Sequence, residues 1–380
     1  MILKSIEIEN FRCFRHSHFE NFGQVNLIGG KNNAGKTALL EALLLANIPT
    51  SESIAFLEKM RGESTLTFIE SPELAWSNFF YRQNKSEIVK LSAVFLDGNS
   101  LQVSLSNTEG LKSELSEQEN QGVLELEKIT DSSSTLGIEY SILNIESIGL
   151  KSFKDSIKYE RSDQDFRSSV RLSIRLPNTV SKEARSYRPM KKTFFVPTGY
   201  KKSSWEISRD FDRSKLRNTD AAILEAFQII DDSIEKIESL NIGSSRIYIF
   251  RKDEPPQALN FFGDALNKIA DLILRVSNNP NCILLIDEIE NGIHHTNQQE
   301  FWQMLIKLAV VKDVQIFATS HSAEMIGAFQ AAAVANKQED KVRFIEMYRS
   351  QRTGEIVGDS VDMETLAFDI QNNNPYRGEE

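Results

Sequence analysis

With 380 residues, 40% hydrophobic and 26% charged, the chain can bury a large core in one big domain or two moderate ones, and it is too apolar to be a disordered polymer. A formal net charge of −10 excludes a protein that wraps nucleic acid over its whole surface, because phosphate binding depends on Lys and Arg. The longest dense apolar stretch, residues 39–46 with Glu41 inside it, is too short to cross a bilayer, and no signal peptide precedes the first strand-like residues, so a cytoplasmic protein without membrane contact is expected.

From the N-terminus, alternating Ile6 and Ile8 and the run Val25-Asn26-Leu27-Ile28 predict two strands joined by residues 10–24. Residues 37–47, rich in Leu and Ala with no breaker until Pro49, predict a helix directly after a glycine loop. Residues 88–96 and 101–105 read as a hairpin around Asp97-Gly98-Asn99, followed by Ser-rich and Glu-rich sequence without a sustained heptad or repeat. Charge is uneven in this region. Residues 107–131 hold 7 acids against 2 bases and residues 151–218 hold 18 bases against 8 acids, which fits either solvated faces or a polyanion-binding patch.

Regular structure resumes with a predicted strand at 192–196, closed by Pro197. Ile223, Phe227, Ile230, Ile234 and Ile237 recur at three and four residues and predict a helix over 220–240; Leu266, Ile269, Ile273 and Val276 predict another over 263–276. The continuous apolar run 282–286 predicts a central parallel strand, followed by a helix at 297–310, a second buried strand at 314–319 and a further strand at 341–348. The alternation implies an α/β fold, a mostly parallel sheet flanked by helices, with an antiparallel β lobe and a variable insertion. The expected organisation is 1–105, an insertion at 106–190, and 191–380. Cys13 and Cys282 stand in apolar surroundings and are expected as buried thiols without a function.

Gly30-Lys31-Asn32-Asn33-Ala34-Gly35-Lys36-Thr37 satisfies G-x-x-x-x-G-K-[ST] between a strand and a helix. Such a loop turns successive N–H groups toward a phosphate; Lys36 can reach the β and γ phosphates and Thr37 can ligate Mg²⁺. Gly30, Asn32, Asn33, Ala34, Gly35, Lys36, Thr37 and Ala38 are therefore the expected ATP-binding residues of a P-loop ATPase. The strand 282–286 ends in Asp287-Glu288, where Asp287 can hold Mg²⁺ through water and Glu288 can deprotonate the attacking water. Glu290 is expected at a helix start or as a supporting residue. The second buried strand ends in Thr319-Ser320-His321-Ser322, and His321 is expected level with the two acids, able to contact a γ-phosphate oxygen. His294 and His295 are adjacent and read as non-ligands.

Together these residues resemble the ABC-type ATPase heads of the OLD (overcoming lysogenisation defect), RecF and SMC group. Asn32-Asn33-Ala34-Gly35-Lys36-Thr37 and Asp287-Glu288-Ile289-Glu290-Asn291-Gly292-Ile293-His294 are similar to OLD-family ATPases in particular, and Ile8-Glu9-Asn10-Phe11-Arg12 is similar to the group's first strand. The resemblance covers residues 1–105 and 192–370 and implies that Arg12 approaches the nucleotide. It also implies a signature helix that caps the triphosphate of a second subunit, with Leu259-Asn260-Phe261-Phe262-Gly263-Asp264-Ala265 as its start. Asn260, Gly263 and Asp264 are the implied contacts, although of the usual serine and double glycine only Gly263 is in place, which points to slow turnover. Asn291 and Gly292 would face the dimer partner. No Toprim nuclease domain fits before Glu380, so the resemblance implies a homodimer, or an oligomer of dimers, that regulates a separately encoded effector such as a Toprim-like nuclease or another toxin in anti-phage defence. DNA or a phage-derived molecule would be the trigger. A RecF-like DNA-repair ATPase and a nucleotide-locked scaffold with negligible turnover stand as alternatives.

Overall fold

A computed structural model describes residues 2–63, 74, 76–107, 133–144, 149–160, 191–372 and 374, and every absence stated below refers to these. The acid-rich residues 108–131 and the base-rich residues 161–190 lie outside them. In chain order the elements are β1 (Leu3–Phe11), β2 (Phe14–Phe19), β3 (Val25–Gly30), α1 (Lys36–Asn47), α2 (Ser51–Met60), β4 (Val89–Phe95), β5 (Ser100–Asn107), β6 (Ser133–Asn144) and β7 (Gly149–Glu160). They continue with β8 (Lys192–Val196), α3 (Ser204–Leu216), α4 (Asp220–Ile230), β9 (Ile234–Ile242), β10 (Ser244–Arg251), β11 (Gln257–Ala258) and α5 (Gly263–Asn278). Last come β12 (Cys282–Ile286), α6 (Gln298–Val311), β13 (Gln315–Thr319), α7 (Ala323–Ala335), β14 (Val342–Arg349), β15 (Ile356–Val361) and α8 (Met363–Gln371).

The chain divides into two compact units. One comprises Met1–Lys4, Phe19–Leu40 and Lys191–Glu380; the other comprises Ser5–His18 and Glu41–Met190. The first is built on a six-stranded sheet in the order β15-β14-β3-β13-β12-β8, parallel at every pairing except β14 with β15. Every residue of β3, β12 and β13 is buried, as expected of strands covered on both faces; β12 is apolar throughout, and β3 and β13 each bury an amide. Because β3, β13 and β12 are adjacent and parallel, the loops after Gly30, Thr319 and Ile286 leave the same edge of the sheet. That shared edge is what assembles the site.

The core of this unit joins Leu27, Leu284, Ile286, Ile316 and Ala318 of the sheet to Ile269 and Ile273 of α5, Trp302 of α6 and Phe329 of α7. Trp302 meets Phe329 edge-on at 4.8 Å between ring centres, and its Nε1 donates to Met325 Sδ at 2.8 Å. Trp302→Ala is expected to cost about 3–5 kcal/mol of stability. Denaturant unfolding measures it. Two buried amides complete the sheet: Gln315 exchanges hydrogen bonds with Leu3 N and O at 2.8 Å each, and Asn26 donates to Gly23 O and Ile316 O. A small antiparallel sheet, β11-β10-β9, precedes α5.

The helix predicted over 220–240 ends at Ile230. Asp231 accepts from Ser233 N and Oγ and turns the chain, after which β9 pairs antiparallel with β10. Ile234 and Ile237 mimic helical spacing because a β-bulge opposite Phe250/Arg251 inserts one extra residue and brings both onto one buried face. Within residues 10–24, predicted as a connection, Phe14–Phe19 instead forms β2 beside β1. The polar run Arg15-His16-Ser17-His18 between its two buried phenylalanines conceals the strand. The second unit carries the antiparallel sheet β2-β1-β4-β5-β6-β7, in which the predicted hairpin is β4–β5 and β6 and β7 extend the same sheet. Cys282 is buried, and burial pushes its thiol up to about 11; Cys13 is only partly buried. No described helix is long and apolar enough to cross a membrane.

Candidate nucleotide site

The loop after β3 coils through left-handed backbone at Gly30 (φ +143°), Asn33 (φ +65°) and Gly35 (φ +88°). Gly30 cannot be replaced, since a Cβ there would collide with the carbonyl oxygen of Met347 on β14. Lys36 begins α1 and its Nζ reaches back across the loop, donating to Gly30 O at 2.6 Å and Lys31 O at 3.0 Å. Burial lowers the pKa of Lys36, against the opposing pull of Glu290, Asp287 and Glu288. A phosphate would relieve that cost by giving the ammonium charged acceptors. Asn32 and Asn33 are exposed at the tip, and Ala34 and Ala38 are buried at its base.

Thr37 Oγ1 donates to Asp287, 3.1 Å from each carboxylate oxygen. Thr319 at the end of β13 donates to Asp287 Oδ1 at 2.7 Å, and Thr198, two residues beyond β8, donates to Oδ2 at 3.0 Å. The buried carboxylate thus collects three hydroxyls, from the start of α1, the end of β13 and the loop after β8. A carboxylate beside a threonine hydroxyl is the hard-oxygen set that suits Mg²⁺, so the residues present fit that ion.

Glu288 takes left-handed backbone (φ +48°), and its N–H is held by Thr319 Oγ1 at 2.8 Å. One hydroxyl therefore orients both acids, accepting from Glu288 and donating to Asp287. Asn291 Nδ2 donates to Glu288 Oε2 at 2.7 Å. Glu290 lies in the turn before α6 rather than at a helix start, and its Oε1 pairs with His321 Nδ1 at 2.8 Å and accepts from His321 N at 2.9 Å. The His321 side chain is half exposed; Glu290 is mostly buried, and its Oε2 has no hydrogen-bond partner among the described residues. Lys36, Thr37, Asp287, Glu288 and the His321–Glu290 pair all stand at one edge of the sheet.

Sequence reasoning missed Lys268, on the second turn of α5. Its Nζ donates to the carbonyls of Glu288, Ile289 and Asn291, each at 3.0 Å. Burial lowers its pKa to about 8, while Glu290, Glu288 and Asp287 act in the opposite sense. Sequence contains no signal for this contact, since a lone lysine on an amphipathic helix reads as solvated. The folded-state pKa lies below the usual lysine value of about 10.4, so the unfolded chain holds the proton over a window where the folded chain has released it. Relative to Lys268→Met, the nucleotide-free, metal-free wild type is expected to gain stability as pH rises from about 8 to about 10.4. Parallel melting curves in that range measure it.

The remaining residues stand as follows. The turn Leu259–Phe262 runs into α5 at Gly263 (φ +80°); Leu259 is buried and Phe262 packs against the core, whereas Asn260 is exposed and Phe261 is 73% exposed; Asp264 occupies the first turn of the helix. Asn291 and Gly292 are exposed. Arg12, in the second unit, donates through Nε to the buried Glu41 at 2.8 Å and through Nη1 to Asn78 O at 2.9 Å, with its guanidinium 4.2 Å from the Phe79 ring centre. Arg61 shares the same carboxylate at 2.7 Å. Two of the Arg12 nitrogens are thus engaged inside the protein.

The chain is similar to known proteins over most of its length. The family model AAA_21, described as "AAA domain, putative AbiEii toxin, Type IV TA system", matches residues 25–326. An ATP/GTP phosphatase of Helicobacter pylori is 23% identical over 342 residues, covering 86% of each chain. The DNA replication and repair protein RecF of Clostridioides difficile is 30% identical over 91 residues, 24% of this chain and 23% of that protein. Among solved structures, the SmcHead bound to the C-winged helix domain of ScpA superposes with a TM-score of 0.50 at 13% identity, covering 96% of this chain and 99% of the other. That last likeness concerns the fold alone.

Proposed function

From the premise that this chain belongs to the AAA_21 family, we propose that it works as a slow ATP-driven dimer switch, the regulatory ATPase of an anti-phage system that controls a separately encoded effector. The chain is an ATP-hydrolysing enzyme. The observation that carries the site assignment is the Asp287 carboxylate, gathered by Thr37, Thr198 and Thr319 beside Lys36.

In this reading the loop from Gly30 to Thr37 binds the phosphates through its N–H groups and Lys36. Mg²⁺, when bound by Thr37 and Asp287, supplies charge neutralisation on the phosphate oxygens. Glu288 takes a proton from water as the water oxygen bonds to the γ-phosphorus and the bond to the β–γ bridging oxygen breaks, giving ADP and phosphate. His321, aligned by Glu290, offers a donor to the γ-phosphate and responds to its presence. The exposed start of α5, with Phe261 in water, supports a second copy of the chain as partner there. The family's description names a putative toxin and a type IV TA system, which relates the proposed role to two-component systems only by analogy.

Phosphate release is expected to need both ATP and Mg²⁺ and to stop with EDTA, and ATP is expected to shift sedimentation from monomer to dimer. A protein that stays monomeric with ATP and the Glu288→Gln variant would lose the switch assignment. The RecF alignment favours a second reading, duplex DNA as the ligand. It requires binding that weakens steeply with salt. Absence of binding at low salt removes it.

A further inference from the structure

Two consecutive residues of α5 point to opposite ends of the site. Asn267 Nδ2 donates to Gly263 O at 2.7 Å and to Leu259 O at 3.4 Å, fastening the Leu259–Phe262 turn onto the helix. Lys268 Nζ spends all three of its donors on the turn that carries Glu288. Within that turn Asn291 supplies the hydrogen bond to Glu288 Oε2, and Lys268 holds the Asn291 carbonyl. The ammonium therefore fixes both the backbone of Glu288 and the residue that orients its side chain.

Stability alone does not account for the choice. A buried ammonium carries a desolvation penalty, and burial lowers its pKa to about 8; an apolar residue of similar length would fill the same space without that penalty. Backbone carbonyls are also its only hydrogen-bond acceptors among the described residues. Such a contact transmits position rather than forming an ion pair. A movement of α5 is passed to the Glu288 turn through three hydrogen bonds from one ammonium, whereas a methionine could slide.

We propose that Lys268 is a positioning residue for hydrolysis, coupling the Leu259–Gly263 turn to Glu288 so that what engages the start of α5 sets the placement of the base. The proposal rests on the reading of Glu288 as that base. Its ligand side is the exposed Asn260–Gly263 surface, and its output is the rate of the chemical step, not the affinity of the phosphate loop.

The test compares Lys268→Met, Lys268→Arg and Glu288→Gln in the full chain. Lys268→Met is expected to lower kcat about tenfold to a hundredfold, as displacement of a catalytic group by about 1 Å does, with KM and the Kd of a fluorescent ATP analogue within about twofold of wild type. Amide hydrogen exchange of residues 288–292 in the nucleotide-free protein is expected to speed up in that variant while β3 and β13 stay protected. Lys268→Arg keeps the charge, but its planar fork cannot converge on three carbonyls, so an intermediate kcat is expected. If the methionine variant fails to fold, the arginine variant decides: reduced kcat at unchanged KM upholds the coupling, and wild-type kcat overturns it. Unchanged kcat in Lys268→Met overturns it likewise. Should Glu288→Gln hydrolyse ATP at the wild-type rate, the base assignment falls. Faster exchange of residues 288–292 in Lys268→Met together with wild-type hydrolysis in Glu288→Gln would trace the fault to that reading and not to the lysine contact.

Discussion

Glu288→Gln is expected to slow ATP hydrolysis about 10²–10⁴-fold, the usual contribution of a general base, while leaving ATP affinity within a few-fold of wild type. The substitution is close to isosteric. The amide oxygen can still accept from Asn291 Nδ2, and the backbone bond from Glu288 N to Thr319 Oγ1 is untouched, so the turn keeps its shape. Only the basicity of the group is lost. Single-turnover phosphate release, with nucleotide binding measured separately, distinguishes the two effects. Hydrolysis at the wild-type rate would remove Glu288 from its role and leave Asp287 and the loop as a binding site alone. A parallel fall in affinity would instead mean that the turn had been distorted.

Lys36→Met is expected to weaken ATP binding by about tenfold to more than a hundredfold, because a hydrogen bond from an ammonium to a charged acceptor contributes about 1.5–3 kcal/mol and each 1.4 kcal/mol is about tenfold. The nucleotide-free protein should behave differently. Lys36 is held below its ordinary pKa by burial and is satisfied only by two carbonyls, so its removal is expected to leave the melting temperature unchanged or raise it. Opposite responses of the free and ATP-bound states identify a residue placed for a ligand. Calorimetric titration and melting curves with and without Mg-ATP read both. Equal affinity in the variant would take Lys36 out of the phosphate site.

Some of this architecture was legible before any coordinates. The loop from Gly30 to Thr37 is contiguous, and the chemistry of a phosphate cradle demands glycines, a lysine and a hydroxyl at fixed spacing. The strands ending at Ile286 and Thr319 announce themselves because strands covered on both faces are dominated by continuous apolar residues, as in Cys282–Ile286 and Ile316-Phe317-Ala318. The strand β9 could not be read, since its bulge places Ile234 and Ile237 at a spacing that belongs equally to a helix. Thr198 and Thr319 were also silent. A hydroxyl after a strand acquires a meaning only from the carboxylate it faces, and that carboxylate is 89 and 32 residues away respectively.

The same distinction separates Lys36 from Lys268. The first sits inside a local motif whose backbone conformation is dictated by its own glycines, so the amino-acid order was enough to assign a site to it. The second acts on carbonyls 20, 21 and 23 residues further along, and carbonyls have no sequence signature because every residue carries one. Local chemistry is written residue by residue. Long-range hydrogen bonding to the main chain is decided only when parallel strands and the helices between them bring distant loops to one edge.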